Sequence, residues 1–583
     1  MTVKGAPELT IRAIITGIVL GILLTPSNIY SGLKIGWTFN MSITAALLSF
    51  GFWTLLHQFS LAKPWGLLES NINQTAASSA ASIISGGLVA PIPALALVSN
   101  IELPWYQLII WVFSVSFFGI WVAYFLLTPF LIRSPLPLPA GRATAQVMTD
   151  IFSKGHEAIL RVYALGLAAL GAGLLKLTDT YWWTIPRWTL PGALSIGGAK
   201  VTFKNLTFFL DPSPLLIGFG AIIGPRIGIS LLFGAIIAWA LIGPQILQLG
   251  WVPMGAEQAD ASWFANMVNW LLWPGVALMV TSSIASFVMM LVSPAVKEES
   301  NEASQPVAPT YQRGKVVYGG LLIACVLVVV VQMWLFATPL YVALLAVPLA
   351  FVLAVVAGRV VGETGIPPIG AIGQVSQLTV GMAAPGNITA NLTTANVAGG
   401  TAGQCADLLN DFKAGRMINA NPMHQVIAQC FGVLTGSIIG SLTYLALIPD
   451  PHNMLISEDW PAPAVVTWKA VANTLQIGLS AIPDHARLAM LVAIAIGILL
   501  SLAERYLAAK YVKWLPSGPA IGLAFVIPAS ISVSMFVGAM LGWLLTKLAL
   551  NWSQRFLIAA ASGLVAGESI TGVGSAIFQL GGS

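Results

Sequence analysis

The feature that most constrains this chain is a succession of long stretches with almost no charge. Twelve of them, from Ile11–Tyr30 through Val316–Phe336 to Phe556–Leu580, each run for at least about 18 residues, close to what an α-helix needs to cross the hydrocarbon of a bilayer. Charged residues make up 8% of the 583 and hydrophobic residues 57%, with a mean hydropathy of +0.85, against about 25% charged residues in an ordinary soluble domain. The 56 Gly and 35 Pro residues suit membrane helices whose neighbours re-satisfy freed backbone groups, and the 20 Trp residues suit helix ends at the headgroup level. The expected fold is an all-α polytopic membrane protein of about 14–16 transmembrane or re-entrant helices, in two repeated halves.

Several classes are set aside by what the chain lacks. The net charge of +5 is scattered, without the dense basic cluster of a nucleic-acid partner. Cys325, Cys405 and Cys430 lie far apart, with no metal or redox spacing. The chain has no G-x-x-x-x-G-K-[ST] loop, no H-E-x-x-H, and no nucleophile and base at catalytic spacing, so no cofactor, catalytic residue or metal site is expected. The first apolar stretch lacks a small-residue cleavage site and reads as a membrane helix.

Near the midpoint Lys297–Lys315, KEESNEASQPVAPTYQRGK, has the composition of a solvated linker. It divides the chain into an N-terminal half, 1–296, and a C-terminal half, 316–583. The halves resemble each other. With Pro212 set on Pro516, eleven of thirty positions to Leu241 are identical, including Ser213 with Ser517, Gly218 with Gly522, Ser230 with Ser534, Gly234 with Gly538 and Trp239 with Trp543. Asn73 pairs with Asn396 at a different offset, which an insertion at Trp182–Leu210 explains; its Val, Thr and Phe alternation predicts a small hairpin. Internal duplication is a transporter signature, with solute held at the repeat interface.

Two stretches break the apolar rule. Leu68–Gly87 and Gly362–Asp411 hold Glu, Asn, Gln, Thr, Ser and Gly but no Lys or Arg. Small-residue helices facing a wet cavity account for them; close helix packing with amides as interhelical glue is the competing account. Pro367, Pro368 and Pro385 should break the second stretch into half-helices whose free backbone groups bind a polar solute or an ion. Solute contacts are expected from Asn73, Gln74, Gln374, Gln377, Asn391 and Asn396. Glu363, Glu69 and Glu568 sit in or beside apolar segments, where a carboxylate is neutral, paired or facing water; these three are the expected proton-coupling groups. Arg226, in IIGPRIGIS, either holds a solute carboxylate, pairs with a glutamate, or marks a turn at the membrane surface. Asp407, Asp411 and Lys413 are expected at a helix end, as a gate or as anchors.

The runs GETGIPPIGAIGQ (Gly362–Gln374), NLTTANVAGGTAGQCADLLNDFKAG (Asn391–Gly415), SPLLIGFGAIIG (Ser213–Gly224), LPAGRATAQV (Leu138–Val147) and WPAPAVVTWKAVA (Trp460–Ala472) together resemble the oligopeptide transporter family. NQTAASSAAS (Asn73–Ser82) is similar to the yellow stripe-like branch, which moves metal chelates. No NPGPFNxKEH-like run, carried by the eukaryotic peptide-transporting branch, is present, and Arg142 stands where a PSGTATA-like motif has a small polar residue. The resemblance implies about sixteen crossings built by duplication, and proton-coupled symport of small peptides or amino-acid-derived metal chelates. The short termini and linker suggest a prokaryotic member in a plasma or inner membrane. Partners are then the solute, protons and the lipid bilayer, with a homo-oligomer left open and no nucleic acid. A passive channel for a small polar solute is the alternative function.

Overall fold

The computed structural model describes residues 7–36, 40–133, 136–153, 155–189, 191–196, 199–255, 261–292, 314–364, 369–507, 509–512 and 514–581. Most of the linker, Pro367 and Pro368 lie outside the described residues.

The helices follow in four blocks. The first holds α1 (Ile11–Ile35), α2 (Ser42–Gln58), α3 (Leu67–Ala81), α4 (Pro91–Ser99), α5 (Trp105–Leu127) and α6 (Pro139–Ser153). The second holds α7 (Gly155–Leu177), α8 (Pro214–Ile223), α9 (Pro225–Ala235), α10 (Gly243–Gln248) and α11 (Phe264–Val292). After the linker come α12 (Lys315–Phe336), α13 (Leu340–Thr364), α14 (Ile369–Ala383), α15 (Ile388–Met417) and α16 (Pro422–Leu447). The last block holds α17 (Pro451–Met454), α18 (Pro463–Ile477), α19 (Asp484–Tyr506), α20 (Ala509–Val512), α21 (Gly518–Ala524), α22 (Ala529–Leu548), α23 (Leu550–Trp552) and α24 (Ile558–Gly581). Among the described residues, 12 helical segments are long and apolar enough to cross a membrane. Leu167, Leu170, Leu322, Leu488 and Leu499 are exposed on such segments, as lipid-facing positions require.

Two compact units emerge, and each takes sequence from both sides of the linker. One comprises Met1–Ile29, Thr38–Val162 and Met290–Leu447; the other comprises Tyr30–Trp37, Tyr163–Met289 and Ile448–Ser583. Duplication is read along the sequence, whereas packing pairs the first block with the third and the second with the fourth.

The first unit is organised on α15, whose thirty residues are buried along nearly the whole helix although few are aliphatic. Asn387 starts it by accepting from Ala390 N at 2.9 Å, and Pro385 lies in the turn that separates it from α14, since proline removes a helix donor and clashes with the preceding turn. Polar α3 is buried too, against α16. A β-carbon at Gly432 or Gly436 would fall on the Ala76 or Ala80 carbonyl, so small residues set the approach of these helices.

The second unit contains the repeated segment. Both copies are broken: the apolar stretch Leu215–Trp239 divides at Gly224 (φ +81°) and Pro225, at the turn that is one of the readings of Arg226, and the apolar stretch Ile521–Leu550 divides ahead of Pro528. The two copies meet through similar positions. Ser534 Oγ accepts from Asp211 N at 3.0 Å, and its repeat mate Ser230 accepts from Ser517 N at 2.9 Å. A β-carbon at Gly538 would meet the Ile217 carbonyl, and one at Gly234 would meet the Ile521 carbonyl. The expected hairpin in Trp182–Leu210 is present as antiparallel strands: β1 (Trp188–Thr189) pairs with β4 (Phe209–Leu210), and β2 (Ala193–Ile196) pairs with β3 (Ala199–Thr202) from Ala193↔Thr202 to Ile196↔Ala199.

Candidate functional site

The two charge-poor stretches, one from each half, meet in the first unit. Gln74 on α3 donates Nε2 to Asp411 Oδ1 on α15 at 3.1 Å. Asn391 Nδ2 donates to the Gln377 carbonyl at 2.6 Å. Asn396 Oδ1 accepts from Trp111 Nε1 at 2.7 Å and lies against Gly87, whose φ of +113° and missing β-carbon make room for the amide. Asn73 makes a weaker contact, Nδ2 to the Ala45 carbonyl at 3.4 Å. Asn73, Gln74, Gln374, Gln377, Asn391 and Asn396 are all buried.

Asn73, Gln74, Asn391 and Asn396 are held by the hydrogen bonds at one end of the amide. Asn73 Oδ1, Gln74 Oε1, Gln374 Oε1, Asn391 Oδ1 and Asn396 Nδ2 are buried without a protein partner. A buried polar group left unpaired costs about 1–3 kcal/mol, and native folds keep few of them unless water or a solute completes the set. Interhelical glue would use both ends of each amide. Half-used amides on several facing helices are better suited to hydrogen-bonding a polar guest.

The glutamates are placed apart from that set. Glu69 lies at the α3 N-terminus, where a carboxylate suits the helix dipole. It accepts from Thr10 Oγ1 at 2.7 Å, Arg12 Nε at 2.7 Å and Gly66 N at 3.2 Å, and Arg12 Nη2 makes a further ion pair. The Arg12 guanidinium lies 5.2 Å from the Trp53 ring and 5.3 Å from the Trp65 ring. Glu568, in the second unit, accepts from Ser213 Oγ at 2.8 Å and from Leu215 N at 2.7 Å, closing the N-terminus of α8. Lys34 is within electrostatic reach of Glu568, Asp211 and Asp459. The Glu363 side chain lies outside the described residues. Arg226, in the second unit, heads α9, with Nη2 on Glu504 Oε1 at 2.6 Å and Nε on the Leu515 carbonyl at 2.9 Å.

Sequence reasoning placed Asp407 and Asp411 at a helix end. They lie ten and six residues before the last residue of α15 and are 8% and 3% exposed. It passed over Gln425 and Gln429 on α16, which are buried against the same turns of α15. Their signal was present, as two glutamines four apart among Ala, Val and Gly residues, which places both on one helix face.

Among the described residues, twelve helical segments of membrane length, together with buried polar helices whose amides are half used, define a polytopic α-helical membrane protein. The family model for the OPT oligopeptide transporter protein matches residues 8–579. YGL114W of Saccharomyces cerevisiae, named for oligopeptide transport, is 25% identical, the alignment covering 98% of this chain and 96% of that protein. The metal-nicotianamine transporters YSL2 and YSL1 of Arabidopsis thaliana are 24% and 23% identical, covering 98% and 99% of this chain and 93% and 92% of their own lengths. The chain belongs to the OPT oligopeptide transporter family. These relatives are named as transporters, not as enzymes. They are eukaryotic and lend nothing to the expectation of a prokaryotic origin.

Proposed function

We propose that this protein is a secondary active transporter that moves amino-acid-derived metal chelates or short peptides across a cell membrane by symport with a cation. The reading rests on the buried amides of α3, α14 and α15, each with one end bare. Such groups discriminate a zwitterionic, amide-rich solute from bulk ions, because a solute without matching polar atoms leaves them unpaired. A metal–nicotianamine chelate, the solute in the names of two relatives, offers carboxylates and amines to this set; a peptide offers its backbone. The metal is cargo here. Of the three glutamates, Glu363 is the first candidate for proton coupling; Glu69 and Glu568 are tied to helix N-termini, which suits an anchor better than a proton carrier. Duplicated halves at 1–296 and 316–583 fit the same class.

The test is counterflow in proteoliposomes preloaded with unlabelled nickel–nicotianamine or a tripeptide. A carrier accumulates labelled solute transiently against an equal concentration, and a pore only equilibrates it. Accumulation with either solute supports the reading. Simple equilibration with both would place the protein among passive channels.

A further inference from the structure

We infer that Asp407 and Asp411 form a binding site for one small monovalent cation, sodium or the proton, with neutral glutamine side chains completing it. The two carboxylates are four residues apart on α15 and so share one face of the helix. Both are buried, and each keeps one oxygen, Oδ2, without a partner. The residues around them are neutral. Gln74 donates to Asp411 Oδ1 at 3.1 Å, and Gln425 donates Nε2 to the Asp411 carbonyl at 2.6 Å. The Ser82 and Gln429 side chains lie beside Asp407. Gln74, Gln425 and Gln429 are fully buried, and the Oε1 of each is unpartnered. Five bare oxygens are thus carried by the two aspartates and by the three glutamines on α3 and α16 that bond to or adjoin them. An all-oxygen set with acidic members is what a hard cation selects.

Charge makes the same demand. Two ionised carboxylates cannot sit buried side by side without a positive charge. Among the described residues no base pairs with either aspartate. On the helices packed around α15, Glu69 is held by Arg12, His424 by Glu8, and Lys413 Nζ by the Leu136 carbonyl. Arg142 and Arg359 have contacts of their own, and the Glu363 side chain is outside the described residues. One cation on the pair leaves a net charge of −1, which the hydrogen bond from Gln74 to Asp411 stabilises in part. Symmetry of the duplication does not explain the pair: neither aspartate falls in the repeated segment.

The inference rests on the transport reading only for its transport arm, so binding is measured first. The purified full-length protein is melted in choline chloride with sodium chloride replacing it at constant ionic strength, and again from pH 5 to pH 8 in choline alone. Sodium-dependent stabilisation of the wild type identifies sodium, and pH-dependent stabilisation without a sodium effect identifies the proton; a protein that responds to neither overturns the site. Asp407→Asn and Asp411→Asn should each raise the half-saturating cation concentration about tenfold or more, because ligand charge sets cation affinity. An unchanged cation response in both variants also overturns it. Should these variants fail to fold, Gln429→Lys places an ammonium beside Asp407 and should give a folded protein whose melting no longer responds to the cation; a wild-type response there counts against the site. In proteoliposomes, the Asn variants should lose uphill accumulation and keep counterflow. Absence of counterflow in the wild type would remove the carrier reading and leave the melting result standing.

Discussion

Gly538 leaves no room for a β-carbon beside the Ile217 carbonyl, and its repeat mate Gly234 stands in the same relation to Ile521, the repeat mate of Ile217. The two copies therefore embrace through equivalent atoms, and the glycines fix how closely they approach. Overpacking such a contact costs about 1–3 kcal/mol. Gly538→Ala and Gly234→Ala are each expected to lower the melting temperature, Gly538→Ala more because its approach is closer. Gly166→Ala on α7 is the control, since nothing lies within 4 Å of a β-carbon there. Equal melting of all three proteins would deny the glycines this role.

Glu69 is expected to be an anchor and not a proton carrier. Its carboxylate, 1% exposed, accepts from four donors, one on Thr10, two on Arg12 and the Gly66 backbone N–H. Arg12→Met strands that charge, and breaking a buried pair this way costs about 3–5 kcal/mol. Removing both partners as Arg12→Met/Glu69→Leu should be milder than Arg12→Met alone. Glu69→Gln should lower stability yet retain cation-driven accumulation. If Glu69→Gln abolished accumulation while counterflow and melting stayed normal, Glu69 would be the coupling group instead.

The membrane class and the amide-rich stretches were legible because they are written in composition and spacing. Leu322 and Leu488 show lipid-facing aliphatics directly. The break at Pro225 was one of the readings open for Arg226, as a turn at the membrane surface, whereas nothing marked the break at Pro528 in particular, because an aliphatic run looks continuous whether or not one proline divides it. The Asp407–Asp411 relation was hidden for a different reason. A polar helix buried on all faces has no amphipathic stripe, so α15 reads like a helix end near Lys413 and Arg416. Its burial comes from α3, α5, α13, α14 and α16 packing around it, a tertiary fact without a local signature. The partners of Arg226 are equally nonlocal, 278 and 289 residues away.

Arg226 is expected to leave solute recognition untouched. Its ion pair with Glu504 is 34% and 42% exposed on the two sides, and such pairs contribute about 0–1 kcal/mol. The hydrogen bond to the Leu515 carbonyl ties α9 to the turn before α21. Arg226→Gln should retain the wild-type KM in proteoliposome uptake with a small fall in melting temperature. A large rise in KM with unchanged melting would place Arg226 in the solute site after all.

Asn391 offers the sharpest separation of recognition from packing. Its Nδ2 is committed to the Gln377 carbonyl, and its Oδ1 is bare. Asn396 has the opposite arrangement, with Oδ1 held by Trp111 and Nδ2 bare. The pair thus presents one acceptor and one donor on the same helix, as a zwitterionic or amide solute requires. Asn391→Ala removes the acceptor, and losing one solute hydrogen bond of about 1.4 kcal/mol weakens affinity about tenfold. Trp111→Phe releases the Asn396 amide without deleting it, so its effect on KM should be smaller than that of Asn396→Ala. Were the amides only glue between α14 and α15, Asn391→Ala would lower the melting temperature and leave KM at the wild-type value, so uptake and melting measured on the same preparations decide between the two roles.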